Sequence, residues 1–72
     1  MTDLELLSVV ALVRDIPEHG LLRGQVGTIV ETLAPEVFEV EFSDDNGHAY
    51  AALALKARDL MRLHHHPIHE AA

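Results

Sequence analysis

The sequence predicts an all-β domain: a small barrel of about five antiparallel strands, followed by a mobile C-terminal tail. Three observations lead there. Phe38, Val40 and Phe42 alternate with Glu39 and Glu41, the period-two pattern of a half-buried strand. Loop-forming stretches at Asp15–Gly24, Leu33–Glu36 and Ser43–Gly47 leave short, β-rich runs between them. The chain has 72 residues, 49% of them hydrophobic and none of them cysteine. Ordering each residue costs roughly 1.5 kcal/mol, so so short a chain must use its apolar surface economically. Closing a sheet on itself does this, because it removes most of the exposed edges.

The elements follow in order. Met1 to Leu7 is a lead-in carrying Leu4, Leu6 and Leu7. Ser8 to Arg14 holds Val9, Val10 and Val13, and a short β-branched run favours a strand. A helix over Leu4–Val13 competes, because Leu4, Leu7 and Ala11 share helical spacing. Pro17, Gly20 and Gly24 make Asp15–Gly24 a loop, with Leu21 as its plug into the core. Gln25 to Thr32 is the second strand, and Gly27 within it signals a bulge or a sharp bend. Leu33–Glu36 turns into the third strand, Val37–Phe42, and Asn46-Gly47 marks a hairpin. His48 to Ala54 returns antiparallel, although alanine is a poor strand former and tertiary context must hold it there. Lys56–Asp59 is a tight turn and Leu60–Leu63 a last short strand. Five short strands in about 60 residues point to an SH3-like barrel over residues 1–63. The expected core is Val10, Leu12, Leu21, Val26, Val30, Phe38, Val40, Phe42, Leu53 and Leu60. A bulge near Gly27 would exchange Ile29 for Val30. Residues 64–72 carry no core pattern and are expected to be a disordered, His-rich tail.

Charge and composition exclude several functions. Asp and Glu number 12 against 5 Lys and Arg, a net charge of −7. The cations Arg14, Arg23, Lys56, Arg58 and Arg62 form no stripe, so phosphate backbones are repelled at long range. Without cysteine there is no disulfide, thiolate metal site or Cys nucleophile. No apolar run approaches the ~18 residues of a membrane span. The acidic start of the chain lacks the basic region of a signal peptide, so the expected location is the cytoplasm.

No constellation of catalytic residues stands out. His48 beside Asp44 and Asp45 lacks a nucleophile at a glycine elbow and a third orienting group. Asp44-Asp45-Asn46-Gly47 is too short for a calcium loop and lacks its bidentate glutamate, and Asx residues opening a hairpin account for it. Gly24-x-x-Gly27 has neither the lysine nor the following helix of a phosphate loop. The sequence therefore reads as non-enzymatic, with no cofactor. His64, His65, His66 and His69 are weak metal candidates. Imidazoles bind Zn²⁺ or Ni²⁺, but Pro67 disfavours the helix that would bring His65 and His69 together.

At Gly20-Leu21-Leu22-Arg23-Gly24-Gln25-Val26-Gly27-Thr28-Ile29-Val30-Glu31 the chain meets a known pattern. The string G-L-x-x-G-x-x-G-T-[IV]-V resembles the KOW motif of ribosomal and transcription proteins and a small nitrogen-fixation accessory protein. A wider resemblance adds Asp15-Ile16-Pro17-Glu18, Phe38–Phe42, Asp45-x-Gly47 and the Leu60 segment. Over Ser8 to Leu63 the chain resembles a family of short bacterial proteins known only as a domain of unknown function. The resemblance implies an SH3-like barrel and no established catalytic residues. Some members accompany toxin genes, which implies an accessory or neutralising role.

The reading is a protein-interaction module that docks on another protein with a basic surface, with room for a homo-oligomer. Glu18 and Leu22 on the first loop, and Glu31, Glu39 and Glu41 on the strands, are the candidate contacts. The acids would steer the encounter. The alternatives are a KOW-like nucleic-acid module, which the charge and the single Tyr50 oppose, and metal binding through the histidines.

Overall fold

A computed structural model describes residues 3–67. The domain is all-β. Its strands are β1 (Val9–Leu12), β2 (Val26–Ala34), β3 (Val37–Ser43), β4 (Ala49–Lys56) and β5 (Leu60–Arg62). They form one antiparallel sheet in the order β4-β3-β2-β1-β5. Single turns of 3₁₀ helix lie at Pro17–His19 and Ala57–Asp59. The run from Leu4 to Val13 divides into a turn at residues 6–7 and strand β1, so the β-branched valines prevail over the helical spacing.

The sheet must curl. From Lys56 at the end of β4 to Leu60 at the start of β5 is four Cα steps, a reach of at most about 14 Å. In a flat sheet these two edge strands would stand about 19 Å apart. The short connection therefore draws the two edges together around one core, although β4 and β5 form no ladder among the described residues. Leu55 of β4 and Leu60 of β5 accordingly join Val10, Leu12, Ile29, Phe38, Val40 and Phe42 in a single cluster.

Bulges help the curling, because an extra residue bends a strand and increases its twist. Ile29 faces Val40 and Glu31 faces Glu39, so Val30 is extra on β2. Leu33 is extra between Thr32 and Ala34, and Tyr50 is extra on β4. Gly27 itself is not the bulge; it lies directly opposite Phe42.

Most of the expected core is buried: Val10, Leu12, Leu21, Phe38, Val40, Phe42 and Leu60. Three positions are corrected. Val30, as the bulge residue, is 39% exposed, and Ile29 is fully buried in its place. Val26 is 47% exposed because its register sets it opposite Ala11, in a row with Met61 on the outer face. Leu53 is only half-buried, near the open side of β4, and Leu55 is the buried leucine of that strand. Leu4 from the lead-in and Ile16 from the first loop complete the core. Ile16 forms an isolated bridge with Leu21, the anticipated plug.

The hairpin between β3 and β4 is not a two-residue Asn-Gly turn. Asp44 N–H donates to the His48 carbonyl at 2.9 Å, and only Gly47 has positive φ, at 81°. Asp45, Asn46 and Gly47 make a three-residue loop, in which Gly47 alone needs the left-handed region. The Asp44 carboxylate selects this form by accepting from the N–H groups of Asn46 and His48, both at 2.9 Å.

Candidate functional site

The acidic residues of β2 and β3 form the most distinct surface feature. Phe38, Val40 and Phe42 turn inward, so Glu39 and Glu41 turn outward. Strict alternation along β2 after the buried Ile29 would turn Glu31 inward. The bulge at Val30 resets the count and brings Glu31 outward, directly opposite Glu39. Opposed residues in a ladder stand about 4.5–5.5 Å apart at Cβ, and like charges there repel. Glu41 lies one outward position further on and faces Thr28.

None of these three acids forms an ion pair among the described residues, although Lys56, opposite Val37, stands one outward position beyond Ala54 and so diagonal to Glu39. On the β4 side, Ala54 is opposite Glu39 and Ala52 is opposite Glu41. The ion pairs among the described residues lie elsewhere: Arg14–Asp59, His48–Asp44 and Arg62–Glu5. The structure thus assembles Glu31, Glu39 and Glu41 on one face, flanked by alanines.

Glu18 and Leu22 belong to a different region. Both lie on the Asp15–Gly24 loop, before the start of β2, whereas Glu31 is five residues along that strand, roughly 15 Å away. Glu18 is exposed in the 3₁₀ turn, and its charge contributes to raising the Arg14 pKa. Leu22 is 62% exposed. Its N–H donates to Gln25 Oε1, and Gln25 Nε2 donates to Tyr50 Oη at 2.8 Å. The Tyr50 ring tilts against Phe42 with centroids 6.5 Å apart. The Gln25–Tyr50 bond links the end of the first loop to β4 just after the β3–β4 hairpin.

The remaining candidates are quickly placed. Asp44 Oδ2 lies 3.8 Å from His48 Nδ1, but Asp44 Oδ1 already holds the turn and both side chains face solvent. Ser8 is buried and accepts from Glu5 N–H at 3.1 Å, a role within the lead-in turn. His64, His65 and His66 are exposed, and His69 lies outside the described residues. Among the described residues no three His, Asp or Glu converge to hold a metal ion. No helix among them is long and apolar enough to cross a membrane.

Two features escaped the sequence reading. One is an open groove of about 750 Å³ lined by Asp3, Pro35, Glu36, Val37, Lys56, Ala57 and Arg58. It forms where the β2–β3 turn meets the 3₁₀ turn, joined by a 2.9 Å bond from Ala57 N–H to the Glu36 carbonyl. Its charges are mixed, two acids against two bases. The other is the pair Arg14–Asp59, 2.9 Å from Nε to Oδ1. Donation from Arg14 holds the Asp59 carboxyl below its ordinary range despite its burial, and the same bond raises the Arg14 pKa. Scattered single charges in the sequence carried no signal for either.

Fold and surface define a small, curled, all-β domain with an acidic strand face. A family model described as a domain of unknown function, DUF4926, matches residues 6–62. The chain belongs to that family. No curated protein and no solved structure matches it.

Proposed function

We propose that this domain is a non-enzymatic interaction module that docks a protein with a basic surface on the Glu31–Glu39–Glu41 face. The observation that carries this is the register of Glu31 directly opposite Glu39, with no ion pair to either acid or to Glu41 among the described residues. Holding two like charges together costs stability, and a cationic partner would offset that cost on binding. The net charge of −7 adds long-range attraction of the same sign. The family resemblance extends the reading to an accessory or toxin-neutralising role in a bacterial cytoplasm.

The test uses the purified domain as bait, with association to the recovered partner measured against salt. Glu39→Lys with Glu41→Lys should leave the fold intact, since both side chains point away from the core. Association should slow and its salt dependence flatten. Leu22→Asp should change little. Unchanged association after the charge reversal, with binding abolished by Leu22→Asp, would move the contact to the loop that carries Leu22.

A further inference from the structure

The acidic face borders an open sheet edge. β4 pairs with β3 alone among the described residues and ends the sheet. It runs eight residues, Ala-Tyr-Ala-Ala-Leu-Ala-Leu-Lys, without a proline and without a charge before Lys56. Natural edge strands are usually shortened, charged, or interrupted by proline to prevent pairing. The other end of the sheet follows that rule, since β5 is three residues long and Arg62 is tied to Asp3 and Glu5. β4 has the features of a strand that receives another.

The side chains around the edge specify what would be received. On the outer face the rows run Glu39–Ala54 and Glu41–Ala52, then open solvent. An added strand would place residues in these rows about two strand spacings from the glutamates, roughly 9.6 Å. Alanine leaves that gap unfilled, and a Lys or Arg side chain is long enough to lie across it. On the inner face Ala51 and Leu53 are only half-buried, so the intervening residues of the added strand would be apolar.

We infer that the β4 edge receives an extended strand of a basic protein, with Lys or Arg at alternate positions reaching over Ala52 and Ala54 to Glu41 and Glu39. This rests on the acidic-face reading and adds to it the mode of recognition. A second copy of the chain suits the edge poorly, because self-pairing would bring alanines to alanines and leave the acids of both copies unmatched, at −7 each.

The test titrates the labelled domain, observed by NMR, with an eight-residue peptide alternating Lys and Val. Shifts should centre on β4, with β4 amides gaining protection from exchange. N-methylation along one edge of the peptide keeps its charge and removes its pairing N–H groups, and it should weaken binding about tenfold or more. Glu39→Lys with Glu41→Lys should weaken it by a similar factor. Equal binding by the N-methylated peptide overturns the strand-addition proposal and leaves the acidic-face reading standing. Binding at β4 that ignores the charge reversal overturns the acidic-face reading. No binding of the unmodified peptide, or a stable dimer through β4 in sedimentation, overturns the strand-addition proposal.

Discussion

Arg14 Nε and Asp59 Oδ1 meet at 2.9 Å across 45 residues of chain. The contact joins the segment after β1 to the 3₁₀ turn that carries the chain from β4 to β5. Beside it, Val13 N–H donates to the Asp59 carbonyl at 3.0 Å, and Arg14 Nη1 reaches the Asp15 carbonyl at 3.3 Å. Asp59 thus fixes, by side chain and backbone together, the short connection that makes the sheet curl.

This pair predicts a pH dependence of stability. The folded-state pKa of Asp59 is lowered, chiefly by the Arg14 hydrogen bond. Its contribution is therefore present above the unfolded value, about 3.9, and is lost as pH falls through the lower folded value. Asp59→Asn should lower Tm at pH 7, and the gap to wild type should close as the solution is acidified below about pH 4. Thermal melts followed by circular dichroism from pH 7 to pH 2 check this. A gap that stays constant over that range would show that the Asp59 charge is irrelevant.

Gly27 predicts a packing limit. A Cβ there would stand 2.8 Å from Val40 Cγ1, 2.9 Å from the Glu41 carbonyl oxygen and 3.0 Å from Phe42 Cδ2. The carbonyl belongs to the partner strand and cannot yield without disturbing the β2–β3 ladder. Gly27→Ala should destabilise the domain by about 1–3 kcal/mol, measured by urea unfolding, although alanine ordinarily gains over glycine in a strand.

Glu36 predicts the opposite sign. It turns β2 into β3 with φ of 64°, a left-handed conformation that strains a side chain bearing Cβ. Glu36→Gly should stabilise the domain by a few tenths to about 1 kcal/mol, after subtracting the greater freedom of glycine in the unfolded chain. A lower urea midpoint in the variant would contradict this.

Charge predicts the behaviour towards nucleic acid. With −7 net charge and no basic stripe, the domain should show no binding to duplex DNA or RNA at physiological salt in fluorescence anisotropy. Micromolar, salt-sensitive binding would favour the KOW-like reading instead.

Much of this was legible in the residues. The alternation from Phe38 to Phe42 determined β3, its inner aromatics and its outer acids, because pleating allows no other arrangement of such a pattern. Turn chemistry placed the loops, and Leu21 between two glycines was recognisable as a plug. The tertiary structure alone decided the pairing of these pieces. Gly27 signals a bulge in Gln25–Thr32 and with it the exchange of Ile29 for Val30, but only the pairing places the extra residue at Val30 and sets Glu31 opposite Glu39. Ile16, Leu4 and the Arg14–Asp59 contact are of the same kind: each depends on a partner distant in the chain. Periodicity is a property of one strand, whereas register and its bulges belong to two, and the acidic face exists only once both are in place.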